Sequence, residues 1–393
     1  VVNASCAFEL RETMPENLMQ KYPAVEDLQR RARKRMPHFA WEFLDSGTGR
    51  DEALARNRSA FSAVRMTPRF MQGEFTPDIS TTLFGEEYSA PFGVAPVGMN
   101  GLAWPGTDRI LARAAARHQI PYSMSTAANY TPEELGGLAN GMGWYQLYPP
   151  RNSNMRKDLI ERAKDSGFKA LLLTVDVPVI SRRERQMRAG IGGGAGLNPE
   201  RIMQLLRRPS WSLATWQEGQ PGLPGLEKYS PSDDLEKFLA FVGEQLNGTL
   251  DWDYVDAVRR EWDGPLVLKG VLDPQEAKTA VEHGVDGILV SNHGGRQLDG
   301  ALASVEALPH VAEAVQGRAK ILLDSGVRTG LDIARSIALG ADFVLCGRAF
   351  MFGVAALGER GADHTVAILK QDLMNNMSNL GCATLGQLRD RLV

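Results

Sequence analysis

The chain has 393 residues, 44 Lys and Arg against 47 Asp and Glu, a formal net charge of −3, and 43% hydrophobic and 23% charged residues. That balance is typical of an ordinary globular protein and lacks the basic excess of a nucleic-acid binder; a core of this size needs no disulfide staples. The three cysteines (Cys6, Cys346 and Cys382) lie far apart with no metal-ligand spacing, which points to a reducing, cytoplasmic compartment and to no metal site, and no apolar run reaches the length of a membrane span.

Residues 1–90 read mostly as helix and loop, an N-terminal extension expected to cover the bottom of the fold or its side. Short β-rich apolar runs then recur at Phe92–Ala95, Pro121–Met124, Trp144–Leu147, Ala170–Val175, Leu266–Leu268, Gly287–Val290, Ile321–Leu323 and Phe343–Leu345. Most are separated by helical segments. Thr131-Pro132-Glu133-Glu134 and Asp273-Pro274-Gln275-Glu276 are helix starts, with a capping side chain, proline in the first turn and an acid at the third position. Gly284 closes the second of these helices. Strand alternating with helix means a parallel sheet, and eight such units predict a closed (β/α)8 TIM barrel, an α/β fold, over residues 91–380 of a single domain spanning 1–393.

The rhythm breaks at 189–250, a stretch rich in Gly, Pro and Trp that reads as an insertion after the fourth strand. Asn198-Pro199 starts a helix carrying Ile202, Met203, Leu205 and Leu206 beside Arg201, Arg207 and Arg208; Trp211, Leu213 and Trp216 follow. Apolar bulk beside basic charge fits a peripheral contact of 198–216 with the inner face of a membrane. An active-site lid or a subunit contact is the commoner use of a long barrel loop. Gly190-Ile191-Gly192-Gly193-Gly194-Ala195 matches a loose dinucleotide fingerprint, but it follows a charged run and reads as a flexible loop. His38, His118, His283, His310 and His364 read as surface or helix-end residues.

A barrel places its functional residues at the carboxyl ends of its strands. Those ends carry Pro96-Val97-Gly98, Ser125, Gln146 with Tyr148, Thr174 with Asp176, Lys269, Ser291-Asn292-His293, Asp324 through Arg328, and Gly347-Arg348. Residues 291–299 read Ser-Asn-His-Gly-Gly-Arg-Gln-Leu-Asp. An imidazole takes a proton near neutral pH, and the Arg296 guanidinium holds a carboxylate by two parallel bonds. Base plus clamp suggests an acid with a reactive carbon beside its carboxylate. Gly326, Arg328, Gly347 and Arg348 follow the last two strands, the usual phosphate site of such barrels. Lys269 supplies a fixed cation in the same mouth. A phosphate-tethered cofactor that accepts electrons, such as FMN, fits that set.

The Ser291–Asp299 segment, with Thr174-Val175-Asp176-Val177-Pro178, Arg182-Arg183-Glu184 and Gln146-Leu147-Tyr148, closely resembles the FMN-dependent α-hydroxy acid oxidases and dehydrogenases, over about Pro37 to Leu380. The resemblance implies oxidation of an (S)-2-hydroxy acid to the 2-keto acid. His293 would be the base, Asp176 the carboxylate that stabilises its imidazolium, Arg183 and Arg296 the carboxylate clamp, and Tyr148 the partner of the substrate hydroxyl. Lys269 would sit at the flavin N1–C2 edge. Ser125, Gln146 and Thr174 would meet the isoalloxazine. Asp324, Arg328, Gly347 and Arg348 would hold ribityl and phosphate, with Pro96, Val97, Gly98, Ser291 and Gly326 completing the cofactor site. A homo-oligomer, as a tetramer, is also implied, and an electron acceptor that is a quinone, another redox partner or O2.

Three positions depart from the family pattern. Phe43, in Trp41-Glu42-Phe43, falls where relatives carry a tyrosine that donates to the substrate carboxylate. Ala127 stands where many short-chain relatives have tryptophan, and Gly98 where oxidases commonly have alanine. Ala127 and Gly98 tilt the expectation to a bulky or aromatic acid such as mandelate and to a dehydrogenase, while Phe43 removes one donor to the carboxylate. A peroxide-releasing oxidase acting on lactate or glycolate, another FMN barrel such as an isomerase, and a silent flavin binder are the alternatives.

Overall fold

The computed structural model describes residues 16–191, 198–232, 234–246 and 250–393. A short antiparallel hairpin comes first, β1 (Thr81–Leu83) and β2 (Glu86–Tyr88). Eight parallel strands follow: β3 (Phe92–Val94), β4 (Tyr122–Ser125), β5 (Gly143–Leu147), β6 (Leu171–Thr174), β7 (Leu266–Val271), β8 (Gly287–Val290), β9 (Lys320–Leu323) and β10 (Phe343–Cys346). They pair in chain order, and β10 returns to β3, so the sheet is a closed barrel. Every apolar run picked from the sequence is a barrel strand, with ends moved by a few residues. The helix starts also hold. Thr131 Oγ1 accepts from Glu134 N, and the Asp273 carboxylate accepts from Gln275 N and Glu276 N.

Period-2 alternation explains how an apolar barrel acquires a polar mouth. Trp144, Leu172, Val267, Leu289, Leu322 and Phe343 share one buried cluster in the barrel interior. Two residues further along each strand, the same inward direction presents Gln146, Thr174, Lys269, Ser291, Asp324 and Leu345. The lower layer is therefore a dry plug and the upper one mostly hydrogen-bonding groups. Ser125 Oγ donates to Gln146 Oε1 (2.8 Å), and Gln146 Nε2 donates to Thr174 Oγ1 (2.8 Å). Lys269 Nζ donates to Ser291 Oγ (3.2 Å).

The hairpin closes the other end. Leu83 and Tyr88 join the interior cluster, with Phe84 against it. The Tyr88 ring lies 5.5 Å from Phe343 and 6.1 Å from Trp144, whose Nε1 donates to the Tyr88 hydroxyl at 3.1 Å. The expectation that residues 1–90 cover the bottom or the side is thus incomplete. The helix His38–Asp45 and the turn after it run to the mouth, where the Phe43, Leu44 and Ser46 carbonyl oxygens receive arginines from two barrel loops. His364 also departs from its reading as a surface residue. It is fully buried in the helix Glu359–Leu380, with Nε2 2.8 Å from the Tyr22 carbonyl oxygen.

The 189–250 region contains the helices Pro199–Leu206, Pro209–Glu218, Pro224–Glu227 and Leu235–Gln245. Asn198 caps the first by accepting from Arg201 N. Trp211 is buried, with its Nε1 donating to the Ala103 carbonyl (3.1 Å) and its ring edge-on to Phe39. Leu206 and Trp216 are 70% and 80% exposed. Most of the glycine-rich 190–195 stretch lies outside the described residues. Among those described, no helix is long and apolar enough to cross a membrane.

Removing the Leu83 side chain should leave a cavity under the barrel. Leu83→Ala is expected to lower the unfolding free energy by about 2–4 kcal/mol, measured by denaturant titration. A loss under about 1 kcal/mol would mean that the hairpin does not plug the interior.

Candidate active site

The mouth contains a proton acceptor fixed from three sides. His293 follows β8 and has a left-handed backbone (φ 57), a conformation that costs a non-glycine residue about 1–2 kcal/mol. Ser291 Oγ accepts from His293 N at 3.1 Å and steadies that turn. Nδ1 lies 3.0 and 3.2 Å from the two Asp176 carboxylate oxygens. Nδ1 therefore carries the proton, which leaves the Nε2 lone pair facing the cavity, 3.2 Å from the Tyr148 hydroxyl. Burial drives the imidazole pKa down; Asp176 pulls it up, Lys269 and Arg183 push down again, and the net direction is down. The ring is neutral at neutral pH and able to accept a proton. Burial works to raise the Asp176 carboxyl, but His293 and Lys269 outweigh it and keep Asp176 ionised. Burial raises the Tyr148 phenol, so it remains a donor.

Asp176 reaches the imidazole because β7 bulges between Lys269 and Val271. At the bulge Gly270 has φ 109, and a Cβ there would sit 2.5 Å from the Asp176 side chain. Only glycine lets the carboxylate approach so closely.

Among the described residues, five cationic side chains line this cavity beside His293: Arg183, Lys269, Arg296, Arg328 and Arg348, with Asp324 as the one carboxylate. Burial acts to discharge Lys269, but Asp324 and Asp176 reverse it and the ammonium stays charged. Burial, then Arg348 and Arg183, push Arg296 well below its ordinary pKa. Arg348 falls to about 9 through burial and Arg328, and Arg328 to about 10 through burial and Arg58. These groups repel one another and are short of anions. Arg296 spends Nη2 on the Phe43 and Leu44 carbonyls (2.7 and 2.8 Å). Arg348 spends three nitrogens on the carbonyls of Leu44, Gly294 and Ser46, so it braces the mouth as well as lining it. Among the described residues, the side-chain hydrogen bond of Arg183 is a 3.2 Å one to Ser181 Oγ within its own loop.

Of the residues expected at the site, Phe43, Pro96, Val97, Gly98, Gln146, Tyr148, Arg183, Lys269, His293, Arg296, Asp324, Gly326, Arg328, Gly347 and Arg348 line one cavity. Asp176, Ser125, Thr174 and Ser291 stand behind it, each bonded to a lining residue. Sequence reasoning missed the braces. Asp299 accepts from Arg50 N and Ala53 N (2.7 and 2.9 Å). Asn57 and Asn292 exchange two amide bonds of 2.7 Å beside the His293 turn. Gln297 Nε2 donates to the Asp176 carbonyl (2.8 Å). Gln297 and Asp299 belong to the same nine-residue segment, and their polar character was the available signal.

The mouth fits FMN. Arg328 Nε is buried without a hydrogen-bond partner among the described residues, a donor that a phosphate oxygen would satisfy. The arginines and Lys269 around it suit a phosphate and a substrate carboxylate.

A model of the family described as FMN-dependent dehydrogenase matches residues 32–393. L-lactate dehydrogenase of Pseudomonas aeruginosa is 37% identical over 367 residues, covering 93% of this chain and 96% of that protein. L-lactate dehydrogenase of Vibrio cholerae is 36% identical over 373 residues, covering 94% and 98%. Among solved structures, the monotopic membrane protein (S)-mandelate dehydrogenase superposes with a TM-score of 0.90 at 32% identity, covering 94% of this chain and 98% of that one. Mandelate oxidase with benzoyl-formic acid gives 0.79 at 33%, with the same coverage. The chain belongs to the FMN-dependent dehydrogenase family and is an FMN-dependent 2-hydroxy acid oxidoreductase.

Proposed function

We propose that the chain oxidises a bulky or aromatic (S)-2-hydroxy acid, such as mandelate, to its 2-keto acid and passes the electrons to an acceptor other than O2. One observation carries this reading: a neutral imidazole with its unprotonated Nε2 3.2 Å from a phenol, in a cavity also lined by Arg183 and Arg296. The two guanidinium groups hold the substrate carboxylate by charge-assisted bonds. Tyr148 and His293 receive the substrate hydroxyl and the adjacent carbon. His293 removes a proton, and the imidazolium so formed is stabilised by the ionised Asp176. FMN, when bound, would supply the two-electron acceptor, and Lys269 would hold a fixed cation beside it.

Room for a large side chain supports the substrate choice. Ala127 and Gly98 line the cavity, and Phe43 adds an aromatic wall with the Arg296 guanidinium 5.7 Å from its centroid. Lactate is the competing substrate, favoured by the lactate dehydrogenases among the relatives. For the acceptor, we place a peripheral membrane contact on the exposed Ile202, Met203, Leu206, Leu213 and Trp216, with Arg201 and Arg207 beside them. A membrane-held quinone is the acceptor that fits this placement.

Anaerobic mixing of the FMN-loaded protein with (S)-mandelate, (S)-lactate and glycolate should bleach the flavin band fastest with mandelate. Reoxidation should be rapid with a dye and slow in air. Fastest bleaching by lactate or glycolate would overturn the substrate choice, and fast peroxide release would overturn the acceptor choice.

The pH profile follows from the direction of the His293 shift. The ring accepts a proton only when neutral, and its pKa lies below the ordinary value. The acid limb of kcat/KM should therefore fall below about pH 6.5. A limb above about pH 7 would contradict a neutral, cation-flanked base.

A further inference from the structure

We propose that Arg185 is a positioning residue for the substrate carboxylate: it clamps the loop that carries Arg183 onto the N-terminal segment that anchors Arg296. The proposal rests on the hydroxy acid reading above.

Arg183 immediately precedes the short helix Glu184–Arg188. No helix or strand lies between Thr174 and Glu184, so no regular structure within the loop holds Arg183. The three residues after Arg183 do. Glu184 Oε2 accepts from Gly49 N at 2.8 Å. Gln186 Nε2 donates to the Phe43 carbonyl (3.3 Å) and to Ser46 Oγ (3.1 Å). Arg185 sits between them and spends each nitrogen of its fork on a different carboxylate. Nε meets Glu42 (2.6 Å), Nη1 meets Asp51 (2.6 Å) and Nη2 meets Asp45 (3.1 Å).

The other half of the carboxylate clamp is tied to the same place. Arg296 Nη2 donates to the carbonyls of Phe43 and Leu44, on the helix that carries Glu42 and Asp45. The two guanidinium groups come from different barrel loops, and their spacing is set through residues 42–51. Arg183 cannot fix its own position, because its bond to Ser181 stays inside the loop. A planar fork reaching three acceptors suits this task; a lysine ammonium would be a single point charge there. The site is part-exposed, with 28% of the Arg185 side chain accessible, so the network is worth more as geometry than as stability.

The test compares Arg185→Ala, Arg185→Lys, Arg183→Met and the double variant Arg183→Met/Arg185→Ala, all FMN-loaded. Two readouts are taken: the KM and kcat for (S)-mandelate with a dye acceptor, and the Kd of phenylacetate, a carboxylate without the reacting hydroxyl, from the flavin difference spectrum. Arg185→Ala should raise KM and the phenylacetate Kd about tenfold or more while kcat falls less than about threefold. Arg185→Lys should lie between Ala and the parent. Arg185→Ala should add little on the Arg183→Met background, because the two act through one contact. A full further loss on that background, or an unchanged KM and Kd, would overturn the proposal. If Arg185→Ala does not fold, Arg185→Lys and Asp51→Asn carry the same comparison. Absence of flavin bleaching in the parent with every hydroxy acid would instead sink the functional reading; the phenylacetate Kd still reports on the clamp.

Discussion

An excess of buried positive charge in the barrel mouth is the constraint around which the rest is arranged. Five cationic side chains face one cavity, and taking charges out of water is costly unless each is met by an opposing group. The chain meets part of that cost with its own backbone. Carbonyl oxygens of Phe43, Leu44, Ser46 and Gly294 receive Arg296 and Arg348, and Asp324 lies 3.7 Å from Lys269. The remainder is left for anions, and the proposed function assigns them: a cofactor phosphate at Arg328 Nε and a substrate carboxylate between Arg183 and Arg296. Burial, with Lys269 and Arg183 behind it, keeps His293 neutral despite its contact with Asp176. One buried, cation-lined mouth thus suits the ligands and prepares the base.

The barrel makes this arrangement affordable. Inward positions along the strands are apolar at one level and polar two residues later, so the charged layer rests on a dry, close-packed one. The β1–β2 hairpin seals the bottom with Leu83 and Tyr88. Glycines appear where two elements must touch, as at Gly270 against Asp176 and at Gly295, where a Cβ would meet the Leu54 backbone at 2.6 Å. The N-terminal segment then closes the assembly from above by tying the loops that follow β6, β8 and β10 to one short helix and turn.

Much of this was legible in the residues alone. Strand runs stood out because barrel strands are buried on both faces and read as continuous apolar stretches, and the helix starts stood out because capping chemistry is local. Strand-end placement brought His293, Asp176 and Tyr148 together although 117 and 145 residues separate the latter two from His293. What escaped notice was carried by the backbone or by distant pairing. The β1–β2 strands have three residues each, too short for a periodic signal. The carbonyls of Phe43, Leu44 and Ser46 leave no mark on residue type. Nothing in the residue type of Arg185 announces its three carboxylates, and His364 shows nothing of its burial in sequence because the Tyr22 carbonyl beside it lies 342 positions away.

The account stands or falls on His293 as the proton acceptor. The direct measurement is anaerobic rapid mixing of FMN-loaded His293→Ala with (S)-mandelate, following the oxidised flavin band. The account predicts a bound, yellow flavin whose reduction is slower than in the parent by about a hundredfold or more, the usual worth of a positioned base. Reduction within about tenfold of the parent rate would contradict it.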